Sequence, residues 1–339
     1  MSKATKILFI ILFILISHTS TVNSQVALYG GRGLMRVFSA NVITPADIYV
    51  NGYLSMYFEK ISSKTLAKYY AINLSGTFGL TRYLEASCHL IPYQDDQTHI
   101  FGRFGDSELA IKYMLPFSVA KFQMGLQGFF KFPTAQIANV PYEVFSSDKY
   151  GWGGRALLTF DLSNTLGSFP LKMYSNIGYF DHDISDIFFT SEVDQMLIGV
   201  GIKFPVRSTQ FYLEYTGEIF VNADSVAYNE NSNRITPGVK FLGPWGFSID
   251  VVGDISLTKR NPQTDQDIFH KKYTKWRIWV GLTYRFSVYK YFDKNAKLAK
   301  KKKEQELKKL ERIKNRRKKA NKDMKKMKEI LKKKNPGNS

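Results

Sequence analysis

From Ile48 to Phe286 apolar and polar residues alternate with a period of two, in runs separated by turn-forming residues. The last run is the sharpest. Trp276, Ile278, Val280, Leu282, Tyr284 and Phe286 fall on one side, and Arg277, Trp279, Gly281, Thr283 and Arg285 on the other. This period predicts a strand whose two faces meet different surroundings. A long uncharged face opposite one carrying two arginines suits lipid on one side and water on the other. Earlier runs repeat the pattern, and with the last one they number twelve. Lys121 and Lys131 oppose Met124, Leu126 and Phe130, and Arg155 opposes Ala156 and Leu158. Glu214 and Glu218 oppose Leu213 and Tyr215; Arg234 and Lys240 oppose Ile235 and Val239; Asp250 and Asp254 oppose Ile249 and Val251.

The links between runs alternate in length. Short ones fall at Thr81-Arg82, 116–119, 163–168, 205–207 and 243–245, and longer polar ones at 60–67, 93–106, 133–151, 181–194, 221–232 and 258–273. An up-and-down meander with one tight rim and one elaborated rim gives that rhythm most simply. The expected fold is all-β: an antiparallel transmembrane β-barrel of about 12 strands over 48–286. A secreted β-sandwich is the alternative, but its second face would be studded with charge over shorter strands.

The N-terminus has a different character. Lys3 and Lys6 precede ten apolar residues, Ile7 to Ile16, and Val22-Asn23-Ser24 supplies small residues before Gln25. This is the order of a cleaved export signal over 1–24, and ten apolar residues are too few to span a bilayer, which takes about 20. Residues 25–47 hold Gly30-Gly31-Arg32-Gly33 and no long alternation. A phosphate-binding loop needs a strand before it and a helix after it, and neither is evident. The segment is expected to pack inside or under the barrel as a plug or a periplasmic extension.

Charge changes the picture only at the other end. The formal charge is +19, but 294–334 holds 21 Lys and Arg against 5 Asp and Glu, so the barrel itself is nearly neutral. Residues 287–339 predict a Lys-rich C-terminal helix ending at Pro336-Gly337, with Leu310, Ile313, Ala320, Met324, Met327 and Leu331 at spacings of a coiled-coil seam. One reading is a solvated charge run. The other is a helix that docks a periplasmic protein or tethers the barrel to anionic cell-wall polymer. Nucleic acid is not an expected partner of an exported chain.

Little catalytic chemistry is indicated. Cys88, the single cysteine, alternates in register with Leu84, Ala86 and Leu90 and reads as a small apolar residue. His89 shares the inward face with Glu85 and Ser87, where a hydrogen bond within the lumen suffices. His182, between two aspartates, is placed in a loop without the further His or Cys of a firm zinc site. No catalytic residue, metal or cofactor is expected.

Over 25–286, and in the opening stretch Gly33-Leu34-Met35-Arg36-Val37-Phe38-Ser39-Ala40 before the first strand, the chain resembles the small meander barrels of bacterial outer membranes, porin-like in the broad sense. The resemblance implies outer-membrane lipid and the barrel assembly machinery as partners, with Trp276, Tyr284 and Phe286 marking the strand that machinery reads. Here the terminal aromatic is followed by the tail instead of ending the chain. An even strand number places the short links and both termini on the periplasmic side. Two functions remain open. In the first, Lys121, Lys131, Arg155, Glu214, Glu218, Arg234, Lys240, Asp250, Asp254, Arg277 and Arg285 line a narrow solute channel as an electrostatic filter. In the second, opposite charges on neighbouring strands cross-brace a non-conducting barrel whose work is done by its tail and loops.

Overall fold

The computed structural model describes residues 25–60, 66–95, 102–119, 121–135, 150–162, 170–185, 192–222, 227–258 and 274–287, with Leu307, Glu311, Lys314 and Met324. The chain divides into two units, 1–287 and 288–339. In the second, the four described residues are helical and exposed. Of the proposed seam only Met324 is among them; Leu310, Ile313, Ala320, Met327 and Leu331 lie outside the described residues, as does the signal segment 1–24.

The first unit is built from twelve strands: β1 (Asp47–Lys60), β2 (Leu66–Gly79), β3 (Leu84–Gln94), β4 (Ser107–Val119), β5 (Phe122–Phe132), β6 (Gly151–Asp161), β7 (Lys172–Ser185), β8 (Glu192–Val206), β9 (Thr209–Phe220), β10 (Ser232–Leu242), β11 (Phe247–Ser256) and β12 (Trp276–Ser287). Each pairs antiparallel with its sequence neighbours. β1 also pairs with β12, through partners running from Asp47 with Ser287 to Met56 with Ile278, and this closes the barrel. Closure leaves no edge strand with unpaired backbone groups, a requirement for any sheet that crosses lipid.

The alternation sorts side chains between two surroundings. Val280, Leu282, Ile111, Leu126 and Ile177 are between 39% and 58% exposed on the outer wall. The charged and polar side chains of the wall lie inside, together with apolar ones such as Tyr53, Tyr174, Leu157 and Trp279, while the outer face is a continuous apolar surface. Aromatic pairs ring both ends of this apolar surface. Phe247 meets Tyr284 with centroids 4.5 Å apart at the rim of short links, while Phe58 meets Trp276 at 5.8 Å and Trp152 meets Tyr179 at 6.1 Å toward the rim of long links. The eleven residues from Trp276 to Phe286, on a strand tilted about 40° and rising ~3.3 Å per residue, span ~25 Å, the height of a bilayer-facing band. Among the described residues no helix is long and apolar enough to cross a membrane, which says nothing of a β-barrel.

Two expectations need correction. Lys121 is not on the inner wall: it stands exposed in the turn between β4 and β5, because β5 begins one residue later. His182 is not in a loop. β7 runs to Ser185 and carries it inside the barrel, fully buried, with Nε2 2.9 Å from the Gln195 amide oxygen on β8. Both differences arise at strand ends, where the alternation stops being informative before the pairing does.

Candidate functional site

Residues 25–46 occupy the lumen. Val26, Ala27, Leu34, Met35, Val37 and Ala40 are wholly buried, and none of them belongs to a strand of the wall. The segment folds back on itself through isolated bridges between Val26 and Arg32 and between Gly33 and Phe38, with a turn closed by the Leu34 amide on the Val37 carbonyl at 2.8 Å. Gly30 and Gly31 make the first reversal at φ +80° and +77°, a backbone conformation that glycine adopts without steric cost. The wall leaves room where the turn approaches it: a Cβ at Gly201 would stand 2.5 Å from Leu34 Cδ1.

A short non-periodic segment enclosed in a barrel has backbone polar groups that must find partners there. The wall supplies them as single side chains. Thr77 Oγ1 accepts from the Gly31 amide at 2.7 Å, and Thr159 Oγ1 from the Ala40 amide at 2.9 Å. Asn176 pairs with both backbone groups of Phe38, accepting from its N–H at 2.6 Å and donating to its carbonyl at 2.9 Å, much as a neighbouring strand would. Glu214 accepts from the amides of Met35 at 2.7 Å and Arg36 at 3.0 Å, at the tip of the turn.

The most heavily used anchor joins β3 to β4. Glu85 accepts from the Arg32 amide at 2.9 Å and the Ile43 amide at 2.8 Å. Lys112 lies 2.5 Å from the same carboxylate and donates to the carbonyls of Arg32 at 2.9 Å and Ser39 at 3.1 Å. Both side chains are 1% exposed. This buried ion pair is satisfied on all sides by plug backbone, the condition under which such a pair is tolerated.

Other inward charges hold one another. Asp254 on β11 takes Arg234 at 2.8 Å and Arg36 of the plug at 2.9 Å. Asp250 accepts hydrogen bonds from Tyr53 at 2.6 Å and Tyr212 at 2.8 Å and lies 3.1 Å from Lys240. Arg285 is paired with Asp47 at 2.7 Å across the β12–β1 seam, and Lys131 with Asp106 at 3.4 Å. Arg155 lies over the rings of Phe129 (4.0 Å) and Phe38 (4.9 Å), and Arg277 over Trp279 (5.0 Å). Glu218 borders the cavity that remains above the plug. All the inward charges expected from the alternation are therefore on the inner wall except Lys121. Arg234 with Asp254 and Lys240 with Asp250 are opposite charges on the neighbouring strands β10 and β11, whereas Glu214 serves the plug backbone.

That cavity, of about 190 Å³, lies in the half of the lumen nearer the long links, with Tyr29, Arg36 and Phe38 of the plug bordering it and Arg155, Glu218 and Arg277 among its wall residues. Outer-face Trp276, Tyr284 and Phe286 take no part in the site. Among the described residues no group of three His, Cys, Asp or Glu is placed to hold a metal ion. His89 meets the Asn73 amide oxygen at 3.1 Å and the edge of Tyr29 at a centroid distance of 4.9 Å.

No family model matches the chain, and no curated protein matches it. Among solved structures, the NanC porin aligns with 70% of this chain and 98% of its own at 11% identity, with a TM-score of 0.47. An outer-membrane channel from Pseudomonas putida F1 aligns with 73% and 98% at 11% identity and a TM-score of 0.45. The KdgM porin aligns with 70% and 99% at 7% identity and a TM-score of 0.44. Closed, antiparallel, polar within and apolar without, the architecture of this chain is that of a porin-like outer-membrane barrel.

Proposed function

We propose that this chain is an outer-membrane barrel that passes small solutes and is held shut by its own residues 25–46. The observation that carries the reading is the capture of the plug backbone by wall side chains from several strands, which fills the half of the lumen nearer the short links while a cavity persists in the other half. The apolar outer band supports a location in the outer membrane, and an even number of strands supports short links and tail on the periplasmic side. Beside these polar contacts Leu28, Leu34, Met35 and Val37 pack on Tyr53, Tyr174, Tyr212, Val252 and Trp279 of the wall. Because the ladder of the wall closes without the plug, the plug can leave its seat with the strand pairing intact.

A second reading has its own support. Asp250, Asp47 and Arg234 have wall partners, and such cross-bracing suits a barrel that never conducts and acts through its tail on cell-wall material or a periplasmic protein.

Planar-bilayer recording separates the two. Glu214→Ala combined with Asn176→Ala removes the hydrogen bonds at Met35, Arg36 and Phe38. With bonds to a charged group contributing about 1.5–3 kcal/mol, the plug should loosen by about 3 kcal/mol, a hundredfold in its detached fraction. The unaltered chain should be silent or open rarely, and the double variant should show frequent, larger openings. Silence in both would favour the second reading, and full steady conductance in the unaltered chain would contradict the plug.

A further inference from the structure

The cavity above the plug has a composition that selects a ligand. Its lining brings together five cations, Arg36, Lys131, Arg155, Arg234 and Arg277, with three carboxylates, Asp106, Glu108 and Glu218, and with Asp254 held behind Arg36 and Arg234 one cation stays in excess. The excess is positive, and in a recess walled by protein it acts on a solute less screened than it would on an open surface. Arg155 is set apart from the others. Lys131 is committed to Asp106, and Arg36 and Arg234 share Asp254, whereas the Arg155 guanidinium lies over the Phe129 ring at 4.0 Å and the Phe38 ring at 4.9 Å and donates to the Gln127 amide oxygen at 3.3 Å. A guanidinium whose plane is held by stacking presents its edge to a planar anion at little entropic cost.

Neutral groups on the same lining point the same way. Trp279 Nε1, Gln195 Nε2 and Asn73 Nδ2 have no hydrogen-bond acceptor among the described residues, although their side chains are between 97% and 99% buried. The amide oxygens of Gln195 and Asn73 already face His182 and His89, so it is their N–H₂ groups that remain. Gln94 Oε1 and Glu108 Oε1 are buried acceptors without a donor. Buried polar atoms of this kind are normally satisfied, and here five of them border one recess. A ligand that completes the site brings negative charge for the arginines, acceptors for the three N–H groups and hydroxyl donors for the two oxygens. The space suits a small molecule: one water takes roughly 10–15 Å³ of such volume, so about 190 Å³ admits a solute of monosaccharide size.

We infer that this cavity is a binding site for a small hydroxylated carboxylate, with Arg155 the group that meets its carboxylate. The inference rests on the reading of the barrel as a solute pathway and names the class of solute that pathway stops at. Because Tyr29, Arg36 and Phe38 belong to the plug, the bound solute touches both the wall and the segment that closes it.

Calorimetric titration of the folded full chain in detergent tests this, with gluconate as the probe and glucose as its uncharged counterpart. Gluconate should bind at least tenfold more tightly than glucose. Arg155→Gln should erase most of that difference, with glucose affinity unchanged. Equal affinity for the two probes, no binding of gluconate, or a folded Arg155→Gln variant that keeps the full preference would each overturn the assignment. If that variant lacks the heat-dependent gel mobility of a folded barrel, the gluconate–glucose comparison on the unaltered chain decides alone. Binding in detergent does not depend on conduction, so failure here is distinct from failure of the closed-pore reading, which the bilayer recordings address.

Discussion

Replacing Lys112 with methionine is expected to destabilise the folded barrel by about 3–5 kcal/mol, among the largest effects of any single substitution in this chain. The ammonium is 1% exposed and neutralises Glu85 at 2.5 Å, so its removal leaves a carboxylate buried with only the Arg32 and Ile43 amides as partners. It also strips the Arg32 and Ser39 carbonyls of their donor. The methionine fills most of the volume, so the loss comes from charge and hydrogen bonding and not from a cavity. Urea titration of the chain refolded into lipid vesicles measures it, and a change below about 0.5 kcal/mol would mean that the plug does not depend on this pair.

The second large effect is expected at the first reversal of the plug. Gly30→Val places a β-branched residue at φ +80°, which costs on the order of 1–3 kcal/mol in backbone strain. Its Cβ would also stand 2.7 Å from Ser87 Cβ and 3.2 Å from the Gly76 carbonyl oxygen, adding about 1–3 kcal/mol of overpacking. The plug relieves both by leaving its seat. The variant should keep a folded barrel, judged by heat-dependent gel mobility, while residues 25–46 become sensitive to a protease added to detergent-solubilised protein. A plug as resistant as that of the unaltered chain would show that the reversal is not built on Gly30 and Gly31.

The wall of this barrel was legible in the chain and its contents were not. Lipid outside and polar groups inside impose a period of two on every strand, and a run such as Trp276 to Phe286 displays both faces without reference to the rest of the chain. The inward set, from Lys131 to Arg285, follows from the same period. It fails only at ends: at Lys121, where one residue separates turn from strand, and at His182, where β7 continues past an acidic pair that looks like a loop. Residues 25–46 have no period because they meet no repeating surface. Their partners are single side chains far along the chain, such as Glu214 for Met35 and Asn176 for Phe38, at separations of 179 and 138 residues. Two local signs were present: the cluster Gly30-Gly31-Arg32-Gly33, and inward glycines such as Gly201 where a side chain would crowd the plug. Neither says what it accommodates until the strands are closed. The same limit hid Glu85, Lys112, Thr77 and Thr159, whose inward direction was readable but whose partner was not.

The seat of residues 25–46 within the barrel is the claim on which conductance, stability and ligand site all depend. A disulfide reports it directly. Val37 Cβ lies 3.6 Å from where a Cβ would stand on Gly201, inside the 3.5–4.5 Å range of bonded cysteines, and Leu34 Cδ1, the crowding atom, ends a side chain that can turn aside. In a Cys88→Ser background, Val37→Cys with Gly201→Cys should cross-link on mild oxidation of isolated membranes. The cross-linked chain would run with altered, reductant-sensitive mobility after boiling. Two free thiols, both labelled by a water-soluble maleimide and unlinked after oxidation, would place the segment outside the lumen and contradict the account.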